Sequence, residues 1–470
     1  MPAQPAPAPA PLPPLAGGEP GPDALRPLLD AVLTALHAGA KDRGGPLPAG
    51  GPADVTARLR DALGTPLPEH GTGAGEALTT LVHALAAGSA DPAHPHCAAH
   101  LHTPPLAVAA AADLAASALN PSLDSWDQAP AASALETLLT RALAAELHPG
   151  HPHPDAVLTT GGTEANQLAL LLARERHGPA LTVIHGANAH HSVPRSAWLL
   201  GLPPATALPT PGGTLDPATL DEALTRIPGP ALVTATAGTT DAGLVDPLPA
   251  LADVCDRHGA DLHVDAAYGG LLALSADPRH RALLNGLDRG RSLTLDLHKL
   301  GWQPVAAGLL AVPDTTLLAP LAHQADYLNA PDDTEAGLPD LLGRSLRTTR
   351  RADALKIAVT LRALGRDGLT RLLTHTLEAA RHLAALLEAH PRFELHAPPA
   401  LSTVLFRPTG TPDEDLATLR RTLLHNGHAV LGRTTADGRL WLKATLLNPH
   451  TTPGDLDALV QLLLGTTEGT

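Results

Sequence analysis

A chain of 470 residues exceeds one ordinary core and suits two or three lobes. With 44% apolar but only 2% aromatic residues, Leu, Ala and Val must fill those cores. A net charge of −15 and the absence of a Lys/Arg stripe argue against a nucleic-acid partner. Two cysteines, Cys97 and Cys255, make no disulfide framework and suit a reducing compartment.

In chain order, residues 1–20 read as a disordered, Pro/Ala-rich tail, without the basic and leucine-rich regions of a signal peptide. Residues 21–120 read as a helical N-terminal segment. Apolar side chains recur at helical spacing in Leu25, Leu28, Leu29, Val32, Leu33 and Leu36, and further helical patches fall at 55–63 and 77–87. The longest apolar run, 106–119, is broken by Asp113 and falls short of the ~20 residues a membrane span needs, so a cytoplasmic location is expected. From about Ser122 the texture changes. An amphipathic helix at 132–147 precedes strands at 156–159, 180–185, 231–235, 261–264, 292–296 and 309–312, with helices at 166–176, 217–226 and 248–257. Such alternation predicts an α/β domain over 121–345, with a large, mostly parallel sheet covered on both faces. Residues 346–470, with helices at 352–364 and 369–389 and strands at 393–397, 402–407 and 439–444, read as a small α+β C-terminal domain.

Three segments carry chemistry. Thr159-Thr160-Gly161-Gly162-Thr163-Glu164-Ala165-Asn166 joins a strand to a helix. Its glycines let backbone approach an anion, which the Thr163 hydroxyl and the helix N–H groups would bind; a plain Gly turn with a Thr/Glu cap reads equally from the same residues. His263-Val264-Asp265-Ala266-Ala267-Tyr268 ends a strand, where ligands of open α/β sheets bind. Asp265 there could pair with a protonated ring nitrogen or cap a loop. In Leu295-Asp296-Leu297-His298-Lys299-Leu300, a lysine follows an apolar run; desolvation would free its amine for imine formation, unless it is a surface lysine.

Their order is more informative than any one of them. A Gly-rich joint, then Asp265, then Lys299 34 positions on resembles the layout of the type I, aspartate-aminotransferase-like fold that binds pyridoxal 5'-phosphate (PLP). The flanking sequence resembles the group II PLP-dependent amino-acid decarboxylases. His298-Lys299 is similar to that family's His-Lys pair, Ala189-His190-His191-Ser192-Val193 to its His-x-Ser-Val segment, and Thr234-Ala235-Thr236-Ala237-Gly238-Thr239-Thr240 to the segment along the ring's other edge. Within the group, the chain looks most like bacterial L-2,4-diaminobutyrate and siderophore-type lysine decarboxylases. Asn120-Pro121-Ser122-Leu123-Asp124-Ser125-Trp126-Asp127-Gln128, Ser345-Leu346-Arg347-Thr348-Thr349-Arg350-Arg351 and Lys443-Ala444-Thr445-Leu446-Leu447-Asn448-Pro449 carry that likeness, which covers residues 90–465, roughly.

The resemblance implies a lyase that releases CO2 from an L-amino acid to leave the amine, with a diamino acid (2,4-diaminobutyrate, lysine or ornithine) as substrate and a homodimer as the working form. It implies Lys299 as the Schiff-base residue, Asp265 at the pyridine nitrogen and His190, not His191, stacked on the ring. Around the cofactor it implies Gly161, Gly162, Thr163, Thr236, Ala267 and His298 as well. Other type I PLP activities would share Asp265 and Lys299: an aldehyde-forming oxidative decarboxylase, a decarboxylase of apolar or aromatic amino acids, an aminotransferase or a cysteine desulfurase. The Ser-Leu-Asp-Ser-Trp-Asp and Thr-Thr-Arg-Arg segments favour the decarboxylase. Intact His190, Asp265 and Lys299 disfavour a binding protein without catalysis.

One departure stands out. Many family members carry a tyrosine on a mobile loop, thought to protonate the carbanion. Here Leu338-Pro339-Asp340-Leu341-Leu342 occupies that position, and the chain's tyrosines are Tyr268 and Tyr327, so the proton donor stays open. The polar, breaker-rich loop at 323–344 is expected to fold over the substrate and to move when the site is empty. Its Asp332, Asp333 and Glu335 would favour a cationic substrate side chain. His94, His96, Cys97, His100 and His102 have spacing a zinc or nickel ion could use, but with 26 histidines such clusters are ordinary, and no metal is expected.

Overall fold

The computed structural model describes residues 12–322, 328 and 330–467, which divide into two compact units. Most of the Pro/Ala tail, and Tyr327 with the first residues of the 323–344 loop, lie outside the described residues.

The first unit holds residues up to 44, 50–89 and 117–119. Its helices are Gly21–Arg43, Pro52–Leu63 and Ala74–Gly88. Gly39 lets the first and third pack closely, since a Cβ there would meet His83 O at 2.6 Å and the Ala86 Cβ at 2.7 Å. Arg43 Nη1 donates to Ala86 O (2.8 Å), and His83 pairs with Asp42 (2.8 Å) beside this contact. Leu33, Leu36, Leu59, Leu63, Leu81 and Leu85 stay exposed in this unit.

The second unit contains both sheets, whose strands in chain order are β1 (Cys97–Ala98), β2 (Asp155–Thr159), β3 (Thr182–Gly186), β4 (Thr206–Leu208), β5 (Ala231–Thr236), β6 (Asp261–Asp265), β7 (Ser292–Asp296), β8 (Gly308–Val312), β9 (Phe393–Leu395), β10 (Thr403–Pro408), β11 (Val430–Ala436) and β12 (Arg439–Thr445). The large sheet has the order β2-β8-β7-β6-β5-β3-β4. Pairing is parallel throughout except at β8, which runs antiparallel to both β2 and β7. Its central strands are buried on both faces, which is why they read as continuous apolar runs. Helices Pro130–Leu147, Gly162–His177, Pro217–Thr225 and Leu248–His258 cover it. Leu, Ala and Val side chains make up most of its core, as the scarcity of aromatics requires.

The small sheet, β1-β11-β12-β10-β9, is antiparallel apart from β1 on β11. The chain's two phenylalanines, Phe393 and Phe406, meet edge-on in its core (6.1 Å). The two helices expected at 352–364 and 369–389 form one long element, Ala354–Ala389, interrupted where Gly365 adopts φ 60° and ψ −176°. Within the loop expected to lack regular structure, Pro331–Glu335 forms a short helix; proline at its first turn and Asp332 and Asp333 at its N-terminus both suit a helix start. None of the described helices is long and apolar enough to cross a membrane.

Candidate active site

The C-terminal ends of the parallel strands converge on one cavity of about 390 Å³. β2 ends at Thr159, and the chain turns through Thr160 and Gly161 into the helix that begins at Gly162. Here the glycines answer a packing need. A Cβ on Gly162 would stand 3.0 Å from the Ala267 Cβ and 3.2 Å from Asp296 Oδ2, and one on Gly161 would stand 3.0 Å from His298 Cε1. Glu164 accepts from both the N–H (2.6 Å) and the hydroxyl (2.7 Å) of Thr160, so the capping role is present too. The first N–H groups of this helix lack intrahelical acceptors, as at any helix start, and Gly161, Gly162 and Thr163 all border the cavity. That is a cradle for an anion.

Asp265, at the end of β6, is buried and held on both oxygens. Oδ2 accepts from Asn166 Nδ2 (2.7 Å) and Oδ1 from the Ala267 N–H (3.1 Å). His190 enters after β3, and it, rather than its neighbour His191, lines the cavity. Burial lowers the His190 pKa against the pull of Asp265, favouring the neutral ring. Thr236, at the end of β5, also faces the cavity; its N–H donates to the buried carboxylate of Asp246 (2.7 Å), which takes the Leu215 N–H on its other oxygen (2.8 Å).

Just beyond β7, Lys299 Nζ lies 2.8 Å from Asp296 Oδ2, a carboxylate that is itself buried. His298 donates through Nδ1 to Ala307 O (2.9 Å), and its Nε2 lies 3.6 Å from Asp296. Ala267 and Tyr268 close the wall next to β6. The Tyr268 hydroxyl bonds Ser402 Oγ (2.7 Å) and Thr403 Oγ1 (3.1 Å), and Lys443 Nζ donates to Thr240 O (2.7 Å), so the small sheet braces two sides of the cavity.

Every residue singled out from the sequence for a cofactor therefore borders a single space. Asn166, Asp246 and Asp296 received no role in that reading. All three are polar and buried, and what sets them apart is spatial: Asn166 is 99 positions from Asp265, its partner. Among the described residues no three His, Cys, Asp or Glu side chains converge as a metal site, and Cys97 instead lies in β1.

A lysine, a buried aspartate and a glycine cradle at the C-terminal edge of a mostly parallel sheet fit PLP. The space bounded by the cradle would be filled by a Cβ, and the donors include an amine and an anion-binding helix start. The fold is that of the type I PLP decarboxylases. The chain belongs to the family described as the pyridoxal-dependent decarboxylase conserved domain, whose model matches residues 60–409. It is 44% identical over 410 residues to L-2,4-diaminobutyrate decarboxylase of Rhizobium meliloti (strain 1021), covering 83% of this chain and 81% of that protein. A solved structure from Vibrio parahaemolyticus, the glutamate decarboxylase domain of a diaminobutyrate-pyruvate transaminase and L-2,4-diaminobutyrate decarboxylase, superposes with a TM-score of 0.86 at 30% identity, over 97% of this chain and 98% of that one. The Oryza sativa TDC structure with PLP and tryptamine also reaches 0.86, at 26% identity over 95% and 98%. The protein is a PLP-dependent amino-acid decarboxylase, a carboxy-lyase.

Proposed function

We propose that the chain decarboxylates a diamino L-amino acid, 2,4-diaminobutyrate before lysine or ornithine, and releases the diamine. The observation that carries this is the 44% identity, over most of both chains, to a diaminobutyrate decarboxylase. The acidic side chains of Asp332, Asp333 and Glu335, exposed on a short helix, add an electrostatic reason to prefer a second ammonium group.

PLP, when bound, supplies the electron sink for the pair left behind as CO2 departs. The chain's own residues do the rest. Lys299, whose Nζ rests 2.8 Å from Asp296, would hold the cofactor covalently. Asp265, which accepts two N–H hydrogen bonds, would be the partner for a protonated ring nitrogen. His190 would cover the ring, Ala267 and Thr236 would border it, and Thr163 with the Gly161–Gly162 amides would take the phosphate. We also propose a homodimer as the working form, and a lid role for the 323–344 loop that excludes water from the reacting carbon.

The test is a panel of L-amino acids incubated with purified, PLP-loaded enzyme, the amines identified by mass. 1,3-Diaminopropane from diaminobutyrate is the expected main product. Exclusive turnover of an aromatic or acidic amino acid, or an aldehyde product, would overturn the assignment. Neutralising Asp332, Asp333 and Glu335 together should weaken the preference for the diamino acid by about tenfold, the size of one good charge contact. An unchanged preference and rate would remove the loop as selector.

A further inference from the structure

The cavity wall conceals a single hydrogen-bond system that joins its two ring-facing residues. Asn166, on the helix after the glycine turn, sits where the arms meet. Its Nδ2 donates to Asp265 Oδ2 (2.7 Å) and to Ser192 Oγ (2.9 Å), which uses both of its protons. The reversed amide is excluded, because it would set a carbonyl oxygen against the Asp265 carboxylate. Asn166 Oδ1 therefore points the other way, to His263 Nε2 (3.0 Å), and His263 Nδ1 meets both Ser292 Oγ (2.8 Å) and the Ser292 carbonyl oxygen (3.1 Å). His263 is fully buried, which pushes its pKa down to about 4. His263 Nε2 thus faces Asn166 Oδ1 and its Nδ1 faces Ser292, which anchors the amide of Asn166 from the far side.

The other arm follows from donor counting. Ser192 Oγ accepts from Asn166 and lies 2.8 Å from His190 Nδ1, where its own proton can donate. The Ser192 N–H approaches the same nitrogen (3.3 Å). Two donors aimed at one ring nitrogen require it to be the unprotonated one.

We propose that Asn166 is the positioning residue of this active site: it orients the Asp265 carboxylate directly and, through Ser192, holds His190 as the tautomer with its proton on Nε2. This rests on the proposed function, in which Asp265 and His190 face PLP. A neutral His190 then has one nitrogen, Nε2, to offer a proton to the cavity, and Nδ1 is taken out of the chemistry. His190 Nε2–H is then a fixed hydrogen-bond donor toward the cavity, able to orient a substrate or cofactor group without giving up its proton.

The tautomer can be read directly. In PLP-loaded enzyme labelled with 15N-histidine, His190 is assigned by the signals lost in His190→Gln. The expected spectrum has a proton-bearing Nε2 and a bare, pyridine-type Nδ1; a proton on Nδ1 in the wild type overturns the proposal. Asn166→Ala and Ser192→Ala should each turn His190 into a mixture of tautomers. They should also lower kcat roughly 10- to 100-fold, the range that outer hydrogen-bond partners of site residues command, with KM changed less. Wild-type His190 signals in both variants overturn the role of Asn166. If Asn166→Ala fails to fold, the wild-type spectrum and Ser192→Ala still decide. PLP loading and CO2 release by the wild type test the proposed function separately.

Discussion

Lys299 is the residue on which the site turns, and its resting contact constrains how it can act. Lys299 Nζ lies 2.8 Å from the buried Asp296 carboxylate, so Lys299 must part from Asp296 before its amine can reach a carbonyl carbon. Lys299→Ala should abolish both turnover and the visible absorbance of lysine-bound PLP, while the protein stays folded; a variant that keeps the absorbance would mean that another lysine holds the cofactor. That Lys299, Asp265 and His190 share one cavity was legible in the sequence because order along the chain carries the signal: a glycine turn, a strand-end aspartate and a His-Lys pair. Asn166 was not, although it lay inside a quoted motif. Its function depends on groups 26, 97 and 99 positions away, which no local pattern can bring together. Asp296 was hidden for a related reason, since a strand-end acid next to a lysine looks the same whether it caps a loop or pairs with that lysine.

At the scale of elements, the strands that place the site were legible to within two residues. Strands buried on both faces leave short, uninterrupted apolar runs between polar turns. The elements missed had no such signature. β4 is three residues with two exposed side chains, and β11 is buried only in its first half and alternates through threonines and an arginine after that. The break inside Ala354–Ala389 was legible from Gly365 and Gly368, and it has an energetic consequence. At φ 60° and ψ −176° only glycine is at ease, although nothing lies within 4 Å of a Cβ built there. Gly365→Ala should therefore destabilise the fold by about 1–3 kcal/mol through backbone strain alone. Thermal or urea unfolding would measure this, and PLP loading should not change. Stability unaffected by the substitution would mean that the helix straightens at no cost. Two buried histidines set the acid side of the stability curve. Burial brings His148, just after Pro130–Leu147, and His263, in β6, down to about 4. Their unfolded pKa is about 6.5, so between about pH 6.5 and 4 the unfolded chain binds more protons. Their contribution is intact above that window and lost as pH falls through it. The melting temperature should drop across this range, and His148→Leu should make the drop shallower; an equal slope in the variant would remove His148 from the account.

For the whole molecule, the apolar surface is the feature a single chain leaves unresolved. In the first unit Leu33 is 63% exposed and Leu85 62%, in helices otherwise amphipathic enough to have paired with each other. In the second unit Trp126, Trp198 and Leu199 are exposed, as is Val305, which is 75% exposed and yet borders the cavity. Burying a large aliphatic side chain contributes roughly 1.5–3 kcal/mol, so several of these together outweigh the ordering cost of a small interface. Exposed apolar side chains of this size are candidates to be covered by association. A second copy is the simplest occupant, since a two-fold dimer covers each patch twice with one set of contacts. A partner that covered Val305 would also border the cavity, which would link the proposed dimer to catalysis. Sedimentation at micromolar concentration should find a dimer. Leu33→Asp combined with Leu85→Asp should shift it toward monomer, and Val305→Asp should cut activity at least tenfold while PLP stays bound, since an added charge at the mouth would be desolvated by closure. A wild-type monomer with full activity would refute the dimer. A Val305→Asp enzyme with unchanged kcat would leave the dimer standing but detach it from the active site.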